Sequence, residues 1–364
     1  MARMGAMTAT VSTADQGGFV VDAPNPSAPA LDPRLKSLTT VLADTTAKIQ
    51  QGRSAGARVW PTGFDALDTA LAGGLRSGEL ILMGGPQGLG KTTMALQMLR
   101  RAIVTGTRPA IFFSYEHDAH AVLERLIAIE AADLGGSEAL TLNTIRQVFE
   151  SRHTRATSLE EQFANTRGGA HAVRALARYS DRLHIHASSG MHTGIDQIRA
   201  AVQAVAEEHG QAPFVLVDYL QKVPVPGAGL GDEERITHVV EQLKDIALTV
   251  ESPVLAIVAA EKASLVAGKR MRVHDLRGSS ALAYEADVVF ILNDKYDIVA
   301  RHHLMYHLDM AERFRQWVVL TIEKNRGGID KVELEFQKRF EQGRFEREGR
   351  IVQEQLIEER IFVD

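Results

Sequence analysis

The chain has 364 residues, 45% apolar and 24% charged, with 41 Lys+Arg against 46 Asp+Glu for a net charge of −5. That balance predicts a soluble globular chain of one large domain or two ordinary ones. The absence of cysteine excludes disulfides, thiolate zinc sites, iron–sulfur clusters and a cysteine nucleophile, and it fits a reducing compartment such as the cytoplasm.

Residues 1–33 are rich in Ala, Thr, Ser, Gly and Pro, which predicts a disordered tail. With Asp15 and no continuous apolar core, this opening does not read as a secretory signal. Residues 34–58 read as a linker helix and loop. Leu35, Leu38, Val41, Leu42 and Ile49 recur at helical spacing before a Gly/Ser stretch at 52–56. Such a helix must bury its stripe against its own domain or a neighbouring subunit.

The main domain is expected over 59–346. Short apolar runs at 79–83, 109–115, 183–186, 214–217, 254–258 and 288–292 alternate with helical patterns. The clearest of these is Ile236, Val239, Val240, Leu243, Ile246, Ala247 and Val250. The alternation predicts an α/β fold, a mostly parallel twisted sheet flanked by helices. Residues 133–180 read as polar and helical with weak periodicity. Further on, Val332, Leu334 and Phe336 alternate with Lys331, Glu333, Glu335 and Gln337 after an apolar run at 317–322. This predicts a half-solvated C-terminal β-hairpin with Gly327-Gly328 near its turn. Residues 347–364 read as a C-terminal tail. No apolar stretch reaches the roughly 20 residues a membrane span needs.

Gly85-Pro86-Gln87-Gly88-Leu89-Gly90-Lys91-Thr92, followed by Thr93, satisfies G-x-x-x-x-G-K-[ST] between a buried strand and a helix. Such a loop lets backbone amides cradle phosphates at a helix N-terminus. Lys91 would neutralise the β- and γ-phosphates of a nucleotide, and the Thr92 hydroxyl would ligate Mg²⁺. Asp218 ends the apolar run 214–217 and supplies the carboxylate that holds the metal's water shell. Glu116 follows Phe112-Phe113-Ser114-Tyr115 and could accept a proton from the attacking water. His117 and His120 beside it, His184-x-His186 and His302-His303 show no complete ligand set and read as ordinary histidines.

Taken in order, these motifs resemble the C-terminal RecA-like ATPase domain of the DnaB-type hexameric bacterial replicative helicases, over residues 61–346. Pro61-Thr62-Gly63-Phe64-Asp65-Ala66-Leu67-Asp68 is similar to the family's entry segment, and Ser114-Tyr115-Glu116 to its strand-end motif. Ser188-Ser189-Gly190 and Val217-Asp218-Tyr219-Leu220-Gln221 resemble its metal-site region. Asp275-Leu276-Arg277-Gly278-Ser279-Ser280 resembles its DNA loop, and Lys324-Asn325-Arg326-Gly327-Gly328 its K-x-R hairpin.

The resemblance implies a RecA-like P-loop ATPase ring, a homo-hexamer using ATP and Mg²⁺. Glu116 would polarise the lytic water. Lys324 and Arg326 would reach the γ-phosphate held by the next subunit. Arg277, Gly278 and Ser280 would contact single-stranded DNA. An acidic chain needs a local basic surface for that, and Lys262, Lys269, Arg270 and Arg272 are expected to provide it. Two departures stand out. The family's N-terminal domain has only the tail and one helix as counterpart here, and Ala259 stands where the family has a Gln that senses the γ-phosphate. These departures suit an alternative, a non-helicase RecA/KaiC-like regulatory or scaffold ATPase whose ring changes partner binding with nucleotide state.

Overall fold

The structure, a computed structural model, describes residues 35–52, 56–106, 108–151, 158–227, 229–261, 268–305 and 308–358. The expected tail 1–33 and Lys262 lie outside these residues. The chain divides between Gly56 and Ala57 into two units. In the first, helix α1 (Leu38–Gln50) begins where the Ser37 side chain accepts a hydrogen bond from the Thr40 amide. Lys48 lies in its last turn, where a cation suits the helix dipole. None of its residues is buried, Leu38, Val41, Leu42 and Ile49 included.

The second unit opens with a small antiparallel ribbon, β1 (Val59–Trp60) with β2 (Leu75–Arg76), enclosing α2 (Asp65–Ala70). Then follow β3 (Leu80–Gly84), α3 (Lys91–Gly106), β4 (Ala110–Ser114) and α4 (Ala119–Gly135). Three shorter helices come next, α5 (Leu142–Glu150), α6 (Leu159–Gln162) and α7 (Gly169–Ala177). The chain returns through β5 (Leu183–Ala187), α8 (Ile195–His209), β6 (Phe214–Asp218), α9 (Asp232–Val250) and β7 (Val254–Ile257). After α10 (Ser279–Glu285) and β8 (Val288–Asp294) come α11 (Lys295–Ile298), α12 (His302–Met305) and α13 (Leu308–Phe314). The last strands are β9 (Trp317–Asn325), β10 (Val332–Arg339), β11 (Arg344–Phe345) and β12 (Arg350–Ile351).

The main sheet has 10 strands in the order β11-β10-β9-β8-β3-β7-β6-β4-β5, with β12 paired to β10. From β8 to β5 every pairing is parallel, and from β8 outward through β9, β10 and β11 it is antiparallel. The inner strands β3, β4, β6 and β7 read as nearly unbroken apolar runs because both faces are covered. Ile81, Met83, Phe112, Leu216 and Leu255 point into a core shared with α3 and α4. Leu80, Leu82, Phe113, Val215 and Ala256 point into a second core shared with α8 and α9. The central position of β3 puts the loop after Gly84 at the middle of the sheet's C-terminal edge, where open α/β sheets place their ligands.

The described residues between 133 and 180 find their place through long-range contacts. Ile145, Phe163 and Ala172 pack with Ile127, Ala128 and Ala131 of α4 in a third core. The hairpin is more enclosed than its alternation implies. β9 and β10 pair as expected (Val332↔Ile322), but Glu335 is 0% exposed. The fully buried Lys295 ammonium ion-pairs with it, and Lys295 also bonds Glu354 at 2.7 Å. That segment and the chain after β12 cover the face that sequence alternation assigned to solvent. Residues beyond 346 also take part in the fold, since Ile351 pairs with Leu334 and Ile357 donates to the Ile298 carbonyl.

Candidate nucleotide-binding site

The G-x-x-x-x-G-K-T loop bridges β3 and the first turn of α3, so the glycine run and the helix N-terminus arise from the same few residues. At Gly85 the loop needs glycine: φ is +144° and a Cβ would lie 2.5 Å from the Leu292 carbonyl. Lys91 opens α3 and turns its ammonium back over the loop, donating to the Gly85 and Pro86 carbonyls at 2.9 Å each. Burial lowers its pKa, and the Asp218 and Glu116 carboxylates oppose that shift. Beside it, the Thr92 hydroxyl donates to Asp218 Oδ2 at 2.7 Å.

Asp218 ends β6 and is 1% exposed. Burial pushes its pKa up to about 6, and the nearby Glu116 adds to the rise. The Thr92 hydrogen bond, Lys91 and Arg125 work against it. Glu116 is carried by a turn that Ser114 fixes, its hydroxyl accepting from the His117 amide (2.9 Å) and donating to the His117 carbonyl (2.6 Å). The Tyr115 amide donates to the Asp218 carbonyl, which locks the ends of β4 and β6 side by side. One ligand atom each of Glu116, His117 and Asp218 lie within 4.8 Å of one another.

Lys91, Thr92, Glu116 and Asp218 line one open cavity of about 570 Å³ with Gly85, Gln87, Gly88, Gly90, Thr93, Ala259 and Phe340. The volume is that of a small-molecule site. The Thr92 hydroxyl and Asp218 carboxylate are hard oxygen donors of the kind Mg²⁺ prefers. Arg125, which the sequence reading missed, also lines the cavity, from the second turn of α4. Its signal was available: a single cation among the buried Val122, Leu126 and Ile129 of an apolar helix. Ala259 lines the cavity too, and its backbone is tied outward. Its amide donates to Gln221 Oε1 at 3.0 Å, and its carbonyl accepts from the Arg277 amide at 3.2 Å.

The other sequence candidates lie elsewhere. Lys324 and Arg326 are not among the residues lining the cavity. Asn325 is in register with Val288, which enters β8 beside Ile81 near the start of β3, whereas the phosphate loop leaves its other end. Lys324 donates to the Ala283 and Tyr284 carbonyls at 2.7 and 3.1 Å, and Arg326 to the Tyr284 carbonyl and Asp287. Arg277, Gly278 and Ser280 sit where the chain enters α10. Gly278 has φ +83° and lies against Ile236 of α9, where a Cβ would meet the side chain at 2.7 Å. Arg277 ion-pairs with Asp232, and Ser280 bonds Glu233 at 2.5 Å, both in the first turn of α9.

The basic residues expected nearby are mostly spoken for. Arg270 is 4% exposed and pairs with Glu333. Arg272 bonds Glu323 at 2.7 Å and ion-pairs with Glu358, and Lys269 lies 3.2 Å from Asp275. The partners of Arg270 and Arg272 come from β9, β10 and the C-terminal segment, which sequence proximity does not reveal.

This geometry agrees with the comparisons. Residues 60–346 match the family described as DnaB-like helicase C terminal domain. The replicative DNA helicase DnaB of Pasteurella multocida is 27% identical over 281 residues, 77% of this chain and 54% of that protein. That of Haemophilus influenzae is 26% identical over 281 residues, 77% of this chain and 53% of that one. The chain thus spans about half the length of these curated relatives. Among solved structures, a separately solved ATPase domain superposes with TM-score 0.65 at 18% identity, covering 85% of this chain and 98% of that one. A DnaB-like replicative helicase, studied with its interactions with primase, gives 0.62 at 20% identity, covering 85% and 66%. The matched region takes in the phosphate loop, Glu116, Asp218 and the β9–β10 hairpin, and on that ground the chain belongs to the DnaB-like helicase C-terminal domain family.

Proposed function

We propose that this chain is an ATP-hydrolysing motor that assembles as a ring, a hexamer, and moves on single-stranded DNA as a helicase. The observation that carries the reading is the division of the charged groups. One cavity gathers Lys91, Thr92, Glu116, Arg125 and Asp218, while Lys324 and Arg326 sit at the opposite edge of the same sheet. Half a site at each pole is what a head-to-tail ring needs, since each interface then completes one centre.

In this reading the amides of residues 85–92 and Lys91 hold the phosphates of ATP, with Thr93 beside them. Thr92 and Asp218 hold Mg²⁺, which would offset phosphate charge. Glu116 orients the attacking water and accepts its proton. Lys324 and Arg326 of the next subunit stabilise charge at the γ-phosphate. Their present carbonyl partners are the uncovered end of α10, which a phosphate can replace.

Arg277, Gly278 and Ser280 form the DNA contact, with Gly278 required by its conformation as much as by any ligand. Ala259 lacks the family's Gln side chain, but a path remains. The cavity-lining backbone at 259 bonds directly to the Arg277 amide, and Gln221 braces it. The unburied apolar residues of α1 suit docking on an adjacent subunit. The segmentation follows: tail 1–33, linker 34–58, motor 59–346 and a C-terminal segment 347–364. Among the described residues no helix is long and apolar enough to cross a membrane. A DNA motor belongs where the DNA is, in the cytoplasm.

The test is ATPase activity with and without single-stranded DNA, run alongside native mass. A hexamer stimulated by DNA supports the motor. A ring indifferent to DNA would favour the regulatory alternative.

A further inference from the structure

Edge strand β5 breaks the apolar pattern of its neighbours on one face. Leu183 and Ile185 join the core beneath α3, but the face towards α8 carries His184 and His186. On adjacent β4 the corresponding face holds Ile111 and Phe113, packed with Ile198, Val202 and Val205 of α8. His186 is committed to Ser188, with Nδ1 3.0 Å from Oγ, and to the Phe113 ring. His184 instead meets the C-terminus of α8. Its Nε2 lies 3.0 Å from Nε2 of His209, with the rings at 71°. Glu208 brings a carboxylate oxygen to the same place, so that the three ligand atoms lie within 4.8 Å of one another.

We propose that His184, Glu208 and His209 form a binding site for a zinc-like transition-metal dication. Two imidazole nitrogens that face each other can share one proton, or both can donate a lone pair to a cation. Zinc binds imidazole nitrogen at about 2.0–2.1 Å in tetrahedral geometry, which sets two such nitrogens about 3.3 Å apart. The half-buried rings need to separate by only a few tenths of an ångström to reach that spacing. Glu208 supplies an anionic oxygen, and water completes the shell. The C-terminal end of the 15-residue helix α8 adds partial negative charge, which favours a cation further.

Imidazole ligands select zinc, copper or nickel over magnesium, so this site and the oxygen donors of the nucleotide cavity take different ions. They are also apart in the fold. His184 is in register with Ile111 near the start of β4, whereas Glu116 follows its other end. The bound ion would clip the end of α8 to the sheet's edge strand and stabilise the folded chain by mass action.

The test uses the full chain, free of affinity-tag histidines and stripped with a chelator. Zn²⁺ binding is measured by competition with a chromogenic chelator, and Co²⁺ binding by its visible ligand-field bands. The expected result is one Zn²⁺ per chain, with affinity at least about tenfold weaker in His184→Ala and in His184→Gln. Gln keeps a hydrogen-bonding partner for His209, so it separates ligand loss from loss of local packing. His117→Ala, which alters the Glu116–His117–Asp218 cluster, should bind as the wild type does. Zn²⁺ should raise the unfolding midpoint of the wild type and of His117→Ala, but not of the His184 variants. Binding that survives in both His184 variants, or no binding up to millimolar Zn²⁺, would overturn the assignment.

Discussion

Replacing Asp218 by Asn should make the nucleotide-free protein more stable while disabling it. Asp218 is 1% exposed, and its pKa rises from 3.8 to about 6. In the unfolded chain it ionises near the ordinary value, so at pH 7.5 the folded state carries the whole cost of holding the buried charge. The gap corresponds to about 3 kcal/mol at 1.36 kcal/mol per pH unit. That net cost already includes the Thr92 hydrogen bond, which opposes the rise. Asp218→Asn should therefore gain up to about 3 kcal/mol at pH 7.5. The sign fixes the pH dependence. The folded pKa lies above the unfolded one, so the cost is full above about 6, shrinks as the pH falls through that value, and vanishes below 3.8. Urea unfolding of chelator-treated, nucleotide-free wild type and variant at pH 7.5 and 5.5 measures both effects. ATP hydrolysis should fall about 100-fold or more in the same variant. A variant less stable than wild type at pH 7.5, or a stability difference that does not narrow at pH 5.5, would show that the buried Asp218 charge does not carry this cost.

Glu116→Gln should bind ATP with near wild-type affinity yet release phosphate about 100-fold more slowly, read by nucleotide binding and single-turnover hydrolysis. Asp232→Asn frees Arg277 from its ion pair and should tighten single-stranded DNA binding several-fold at low salt, with a steeper salt dependence in fluorescence anisotropy. Glu130→Ala should cost about 3–5 kcal/mol in urea unfolding. It strips the buried Arg100 (6% exposed) of a two-pronged partner that Tyr179 also bonds at 2.6 Å, joining the phosphate-loop helix α3 to α4.

What could be read from the sequence was local. The phosphate loop works through consecutive backbone amides, so Gly85 to Thr92 announce it unaided. Strands β3, β6 and β7 are apolar on both faces, and α8 ends where Gly210 takes a left-handed turn. What escaped depends on partners far along the chain. Glu335 looks like a solvated residue until Lys295 and the segment after β12 fold over it. Arg270 and Arg272 look like a DNA surface until Glu333, Glu323 and Glu358 arrive to pair with them. Residues 133–180 show weak periodicity because each short helix gives only a few side chains to a core organised by α4. The His184–His209 pair shares this character, since its two rings lie 25 residues apart along the chain.

In the proposed ring each catalytic centre draws its phosphate grip from one subunit and its cations from the next. Co-assembly of Lys91→Ala with Arg326→Ala checks this sharing, each variant alone being inactive. In a random equal mixture about a quarter of head-to-tail interfaces join an intact Lys91 to an intact Arg326. ATPase activity should then recover to about a quarter of wild type if the sites act independently. No recovery in rings that native mass shows to be mixed would contradict the account.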